Sequence, residues 1–431
     1  MAPRALMFTY RFPPCVQAPT AAARAEGLAR YLPDFGWDPV VVAPARTSEI
    51  CGCVGCQQPE DRQSRPYELV RLPLRVRPGV ALARRLARLR TTGPATGFET
   101  QMTGTLSAAA SLVEVKNDWV RASTYAGREI ADSNGVEVTW TTSRPLASAL
   151  TGRRLQRSSG LPWVAELRDL VSVVRSRDPL ATAATRVHNA ALRPALRRAS
   201  AVVTVTPELA EADGRWLGRE IDVVRSGFDP ELWPDLVPAP RNDRFTLVYA
   251  GRFLPGYREP DPALAALARL AEQLPEWREW LHFRYYGPAG ARFRQAAEHH
   301  GVSDLVSDGG FVSGPAYTQA LRVADVLVLL TNLAGESGIP GGKLYDYLAA
   351  RRPVTAGPPR DGFVDRVLQD VGAGTTATTE QELCTQLAAW FEEWRATGSV
   401  AYRGDRSRLA KYSVRHSAQQ LAAVLDRVAE T

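Results

Sequence analysis

Short apolar runs alternate with stretches of helical period along most of the chain. Ala5–Thr9 is a continuous apolar run, too short for a helix. After the loop Arg11–Thr20, Ala21–Leu32 repeats apolar residues at helical spacing, and Pro39–Val42 follows the Phe35–Gly36–Trp37 turn. A strand buried on both faces reads as an unbroken apolar run, whereas a surface helix shows a period near 3.6 residues. The chain therefore opens as strand, loop, helix, strand. Further strands are expected at Val136–Thr141, Trp163–Leu167, Val202–Val205 and Asp222–Arg225, with helices over Leu112–Ile130 and Pro145–Arg157. Behind the Pro-rich stretch Pro234–Asp243 the pattern starts again. Strands are expected at Thr246–Ala250, His282–Tyr286, Leu305–Asp308, Val326–Leu329 and Pro353–Ala356. Helices fall between them at Pro262–Leu274, Ala291–His300, Tyr317–Arg322 and Lys343–Ala350, and a last helix covers Val414–Val428. Only Thr47–Thr105 resists this reading, apart from the basic pattern VALARRLARLR at Val80–Arg90.

Strands alternating with helices predict parallel, doubly wound sheets, so the expected class is α/β with two Rossmann-like halves. The expected domains are 1–236, with the helix at 405–431 packing back on it, and 243–404, joined by a linker at 237–242. Two such halves facing across a cleft would bind ligands at the carboxyl ends of their strands.

At 431 residues the chain exceeds what one core usually serves. Its 45% apolar and 23% charged content is that of a soluble globular protein. No run approaches the roughly 18–20 apolar residues of a membrane span. Arg4 precedes only the brief apolar segment Ala5–Phe8, with no small-residue cleavage site, so the expected location is cytoplasmic. The net charge of +7 comes almost wholly from arginine; the only lysines are Lys116, Lys343 and Lys411. The charge is spread along the chain, and nucleic-acid binding is not expected. Cys51, Cys53 and Cys56 have zinc-like spacing but no fourth Cys or His nearby, and read as a surface loop. No metal is expected.

The stretch Gly335–Pro353, GESGIPGGKLYDYLAARRP, is a glycine-rich turn running into a helix. Pro340, Gly341 and Gly342 allow unusual torsions and close approach to a ligand. The amides of Gly342, Lys343 and Leu344 stand at a helix start, where no residue inside the helix satisfies them, and such a start attracts phosphate. Asp346 lies one turn beyond Lys343. A cation near phosphate and a carboxylate a few ångströms away suit a nucleotide: Lys343 for the diphosphate, Asp346 for ribose hydroxyls. In YAGRFLPGYREPDP, Tyr249–Pro262, a strand ends at Ala250 and Gly251 makes the turn. Arg252 and Arg258 then follow as a diphosphate clamp, the alternative being one arginine on solvent and one paired with Glu259 or Asp261.

The chain resembles retaining glycosyltransferases of the GT-B fold, in the group 1 (family 4) superfamily, over nearly its whole length. The carrying segments are YRFPPCVQAPTAAARAEGLARYLPDFGWDPVVV, TTSRP, LPWVAELRD, AVVTVTPELAE and RSGFDPELW, then LVYAGRF, YYGPAG, ADVLVLL and PGGKLYDYLAARRPV. The resemblance implies that Arg252 or Arg258 and the Gly341–Lys343 turn hold the donor's diphosphate. Relatives carry an E-x7-E pair whose second Glu binds ribose; Asp346 falls on that place. Eight residues earlier stands Gly338, with Glu336 two residues further out as the acid for the donor sugar. The loop Gly309–Gly314, with Phe311, resembles the family's base-binding segment. Val16 and Gln17 stand where relatives often have Gly-Gly. Glu166, Arg168 and Asp169 match an acceptor-side D-F-R-D, a structural ion pair from Arg168 being the alternative. Ala149 occupies the place of a histidine common in relatives, so no catalytic histidine is assigned.

The resemblance implies transfer of a sugar from a UDP- or GDP-type nucleotide sugar to an acceptor hydroxyl, with retention, without metal and with no further cofactor. Inversion would make Asp169 or Glu166 the base. The acceptor is a small molecule, a glycan or a lipid-linked saccharide. Val80–Arg90 reads either as a peripheral membrane contact or as an ordinary solvated helix. A nucleotide-sugar epimerase and a non-catalytic sugar-nucleotide-binding partner protein are the competing readings.

Overall fold

The computed structural model describes residues 2–13, 19–45, 65–74, 118–132, 135–143, 146–172, 179–234, 241–253, 258–331, 341–357 and 360–431. Val16, Gln17, Cys51, Cys53, Cys56, Val80–Arg90, Glu336 and Gly338 lie outside the described residues. The chain divides into two units, Met1–Arg225 with Val414–Thr431, and Ser226–Ser413.

The first unit contains β1 (Arg4–Phe8), β2 (Asp38–Pro44), β3 (Glu68–Leu72), β4 (Val136–Thr142), β5 (Trp163–Leu167), β6 (Ala201–Thr204) and β7 (Asp222–Val223). They form one parallel sheet in the order β3-β2-β1-β4-β5-β6-β7. Successive side chains of a strand point to opposite faces, and here both faces are covered. Ala5, Met7 and Val41 pack on one side with Leu28 and Leu421, while Leu6, Phe8, Val40 and Val42 pack on the other with Trp119 and Leu155. That is why these strands are apolar throughout rather than alternating.

The C-terminal helix Val414–Ala429 completes the first of these faces. Its buried residues Val414, Ala418, Leu421, Ala422, Leu425 and Val428 recur at helical spacing and join the cluster that holds Ala25, Leu28 and Ala29 of helix Pro19–Tyr31. A Cβ on Gly27 would come within 2.7 Å of a Val414 methyl, so the missing side chain lets the two helices approach. Trp37 Nε1 donates to Asp426 at 2.8 Å. Exposed pairs such as Arg415–Asp34 add little beside this burial.

The second unit repeats the plan with β8 (Phe245–Ala250), β9 (Leu281–Tyr286), β10 (Val306–Asp308), β11 (Val326–Leu329), β12 (Val354–Ala356) and β13 (Gly374–Thr376). The parallel order is β10-β9-β8-β11-β12-β13. Phe245, Leu247 and Tyr249 face one cluster with Phe293 and Phe391; Val248 and Ala250 face the other with Leu344 and Tyr347. The β8 strand is thus the spine of this unit, and helix Lys343–Ala350 is clamped on its second face.

Some elements differ from the sequence pattern. Edge strand β3 is only partly buried, and Arg71 interrupts its apolar residues Leu69, Val70 and Leu72, so no unbroken apolar run marks it. Gly-Thr-Thr at β13 lacks any apolar side chain, and its pairing with β12 alone defines it. Leu305 belongs to a 3-10 turn, Ser303–Leu305, that leads into β10. Among the described residues no helix is long and apolar enough to cross a membrane.

Gly152 sits inside helix Ser148–Ser159, where a Cβ would overlap the indole nitrogen of fully buried Trp163. That nitrogen donates to Thr141 Oγ1 at 2.8 Å. Gly→Ala in a helix ordinarily stabilises by about 1 kcal/mol. Here Gly152→Ala is expected to destabilise by about 1–3 kcal/mol through overpacking. A urea midpoint that stays level or rises would contradict this packing.

Candidate functional site

The carboxyl ends of β8, β9 and β10 are laced together by hydrogen bonds. Gly251 N donates to Tyr286 O at 2.7 Å, Gly309 N to Tyr285 O at 2.8 Å and Gly287 N to Gly310 O at 2.9 Å. The Tyr285 hydroxyl donates to Gly251 O at 2.9 Å and accepts from Ala289 N at 3.1 Å. Tyr249 is fully buried, and its hydroxyl donates to Arg252 O at 2.8 Å. Ala250 N donates to the Tyr347 hydroxyl at 2.9 Å, which fastens helix Lys343–Ala350 to the end of β8. Buried tyrosines thus do here what a longer sheet would do: each takes a backbone group that has left the ladder. A Cβ at Gly287 would overlap the Gly251 carbonyl, so only glycine fits between these loops.

Onto this floor helix Lys343–Ala350 places two opposite charges. Leu344 and Tyr347 lock it into the core, so Lys343 and Asp346 lie on its other side, both half-buried. The Lys343 ammonium lies 5.3 Å from the centroid of the Tyr249 ring. Its terminal methylene and nitrogen occupy the space that a Cβ on Gly251 would take. Burial, then the charge of Arg258, lowers Lys343 to about 7, with Asp346 opposing and Arg252 adding to the fall. Burial likewise raises Asp346 to about 6, against a hydrogen bond from Tyr317 at 3.0 Å and the charge of Lys343. Each shift runs against the attraction between the two residues. Desolvation outweighs their pairing, so both charges are under-satisfied in the free protein.

Arg252 is exposed at the end of β8 and Arg258 half-buried beyond it. Glu259 is bonded to Arg292 at 2.6 Å, and Asp261 faces His300 at 3.3 Å. Gly341 is exposed, with open space where a Cβ would lie. At the helix start Leu344 N donates to Gly341 O at 3.1 Å and Tyr345 N to Gly342 O at 3.2 Å. The Leu344 amide is therefore not spare: a tight first turn uses it, and the outward amides at this helix start are those of Gly342 and Lys343. Phe311 is 66% exposed on the loop after β10, where Gly310 has φ +69° and its amide donates to Asp308 at 2.9 Å.

In the first unit, Glu166 at the end of β5 is a correction to the sequence reading. It is 2% exposed and paired with Arg24, whose Nε and Nη2 donate to Oε1 at 3.0 and 2.7 Å. Thr142 donates to the other oxygen at 2.5 Å. Arg24 also donates to Arg225 O at 2.7 Å and to Val224 O at 2.9 Å. Both carboxylate oxygens are engaged in a buried network, so Glu166 holds helix Pro19–Tyr31 to the sheet instead of facing a ligand. Its partner is Arg24 because that helix crosses the end of β5. The Arg168 guanidinium donates to Ala21 O at 3.2 Å, and Asp169 is half-buried. The loop after it is held by buried Asp213, which accepts from Val171 N at 3.1 Å and Ser172 N at 2.8 Å. Sequence reasoning missed Arg24, Asp213 and Tyr317. A charged residue within the apolar stripe of a helix was the available signal for Arg24. Among the described residues no group of three His, Cys, Asp or Glu side chains suits a metal ion.

No protein-family model matches this sequence, and no curated protein sequence matches it. Solved structures do. Sucrose-phosphate synthase from Thermosynechococcus elongatus superposes with a TM-score of 0.63 and 14% identity, over 99% of this chain and 98% of its own. A glycosyltransferase from Rickettsia africae gives 0.64 at 10% identity over 99% and 98%. Anabaena HepE, solved with UDP and glucose, gives 0.62 at 16% identity over 98% and 99%. The chain has the GT-B fold these structures share, with two parallel-sheet units. Identities this low carry the architecture alone; chemistry has to be argued from the residues.

A desolvated lysine is a reactive amine at neutral pH. Competitive acylation read on the Lys343 peptide is expected to titrate near 7. Gly251→Ala pushes the ammonium off the Tyr249 face and towards water, so the variant stays folded while that midpoint rises. An unshifted midpoint in Gly251→Ala would reject the contact.

Proposed function

On the GT-B fold as premise, we propose that this protein is a retaining glycosyltransferase of the family 4 type. It moves a sugar from a UDP- or GDP-type donor to an acceptor hydroxyl without a metal. The observation that carries the reading is the Lys343 ammonium, held against Gly251 and Tyr249 with Arg258 and Arg252 adding positive potential and Asp346 one turn away. The surplus of cations over acids leaves room for a dianion, and a desolvated ammonium gains most from one.

In this mechanism the bond from the sugar's anomeric carbon to the phosphate oxygen breaks while a bond to the acceptor oxygen forms on the same face. The acceptor proton passes to the departing phosphate. Charge develops on the diphosphate, where Lys343, Arg258, Arg252 and the amides of Gly342 and Lys343 stabilise it. Gly341 leaves the approach to those amides open. Asp346 meets the ribose, the loop Gly309–Gly314 with Phe311 meets the base, and the resemblance assigns Glu336, with Gly338 nearby in sequence, to the donor sugar. Val16, Gln17, Arg168 and Asp169 shape the acceptor side. The burial of Glu166 against Arg24 removes one of the two carboxylates that inversion would use as base, which favours the retaining route. The acceptor is a small molecule, a glycan or a lipid-linked saccharide, and Val80–Arg90 would bring the last of these within reach at a membrane surface.

A thermal-shift screen of UDP, GDP, ADP and dTDP is expected to give one selective rise. Donor turnover with product NMR then separates retention from inversion, and binding without transfer or hydrolysis would mark a non-catalytic protein. Arg258→Ala is expected to weaken diphosphate affinity by about 10–100-fold, the value of a charged hydrogen bond. Unchanged affinity and turnover would remove Arg258 from the clamp.

The site also predicts a pH dependence. In the free protein the Lys343 ammonium is lost as pH rises through about 7. A bound diphosphate favours the ammonium and raises that value, so binding takes up a proton. Affinity is therefore greatest below about 7 and falls by up to about tenfold per pH unit above it. Calorimetry in buffers of different ionisation heat, at pH 7 to 9, reads the uptake directly. Lys343→Met should abolish the slope, and a slope that survives in it would place the titration elsewhere.

A further inference from the structure

Tyr317 lies on helix Pro315–Arg322, and its ring packs against the second unit's core. Its hydroxyl donates to Asp346 Oδ2 at 3.0 Å. Burial and the nearby Asp346 charge raise the phenol well above its usual value, so the proton stays on tyrosine and the bond keeps one direction. Oδ2 thereby has a partner within the protein. Oδ1 has no hydrogen-bond partner among the described residues.

Vicinal ribose hydroxyls are two donors, best met by two carboxylate oxygens. A site built to bond a hydroxyl rejects the analogue that lacks it, because one of its own polar atoms is then left unpaired. Asp346 does not have that property. When a second hydroxyl is missing, Oδ2 already has its partner in Tyr317, and nothing is stranded. On the reading that Asp346 meets the donor's pentose, we propose that Tyr317 is a specificity-determining residue. It leaves Asp346 needing only one pentose hydroxyl, so that the site takes 2′-deoxyribonucleoside diphosphate donors as well as ribonucleoside ones. Aspartate suits this arrangement: being one methylene shorter than glutamate, it stays within reach of a tyrosine rooted in the neighbouring helix.

The test is calorimetry on the full chain at pH 8, where Asp346 is ionised, with matched pairs: UDP and 2′-deoxy-UDP, GDP and 2′-deoxy-GDP, ADP and 2′-deoxy-ADP, and 5-methyl-UDP and dTDP. For the base that binds, the two members are expected within about threefold of each other, less than one hydrogen bond to a charge is worth. Tyr317→Phe keeps the ring and releases Oδ2, so it should prefer the ribonucleotide by about tenfold or more. A role in packing alone would change both affinities together and leave the ratio where it was. A tenfold ribose preference in the unaltered protein, or a ratio that Tyr317→Phe does not move, overturns the inference while the donor-site reading stands. Failure of every diphosphate to bind overturns both. Should the variant not fold, the ratio in the unaltered protein decides.

Discussion

The geometry at the end of β8 turns on how one ammonium group is accommodated. Lys343 stands at the start of a helix whose other side is core, so its side chain has only one way to go, over the end of β8. There it meets a glycine with no side chain and the face of a tyrosine. An ammonium held in such a place loses water without gaining a full counter-charge, and it is drawn down to about 7 even with an aspartate one turn away. On the proposed reading, a ligand that brings its own negative charge satisfies this ammonium.

The buried tyrosines explain how that site keeps its shape. Tyr249, Tyr285 and Tyr347 each bond a backbone group near Gly251 where the sheet ladder ends. Loops that carry function are usually mobile because their backbone groups bond to water. Here those groups bond to phenols rooted in strands and in helix Lys343–Ala350 itself, which ties the end of β8 to that helix. The first unit meets a similar need by ionic means. Arg24 ties the first helix to the end of β5 through Glu166 and to the backbone after β7 through two carbonyls. A buried pair of this kind is weak evidence for net stability, since desolvation offsets attraction, but it specifies which helix face meets which strand.

Burial on both faces made much of this fold readable in the sequence. Runs such as Trp163–Leu167 and Val326–Leu329 match strands because every one of their residues is buried, Glu166 through its pairing with Arg24. Where strands lie at an edge or lack side chains, as in β3 and β13, pairing rather than composition defines them and the pattern is silent. The site divides along the same line. That Lys343 and Asp346 share one helix turn follows from spacing alone. That Glu166 belongs to Arg24 does not, because the two are 142 residues apart and only the sheet order brings them together. Tyr317 is hidden for another reason: an aromatic residue on an amphipathic helix looks like core, and here its ring is core while its hydroxyl is not.

Asp346 shows why the match to a family pattern has to be read with its neighbours. Taken by position, an aspartate in place of glutamate is a conservative loss of one methylene. Taken with Tyr317, it is a different device, because the shorter acid is met by a phenol donor from the next helix. The pair has one negative charge, one oxygen bonded to tyrosine and one with no hydrogen-bond partner among the described residues. Lys343 is coupled to the same carboxylate, so any group that engages Asp346 also changes the field at the ammonium. On the proposed reading, recognition of the pentose and stabilisation of the diphosphate would be electrostatically linked through a single half-buried turn of helix. A substitution that alters one of them will register at the other.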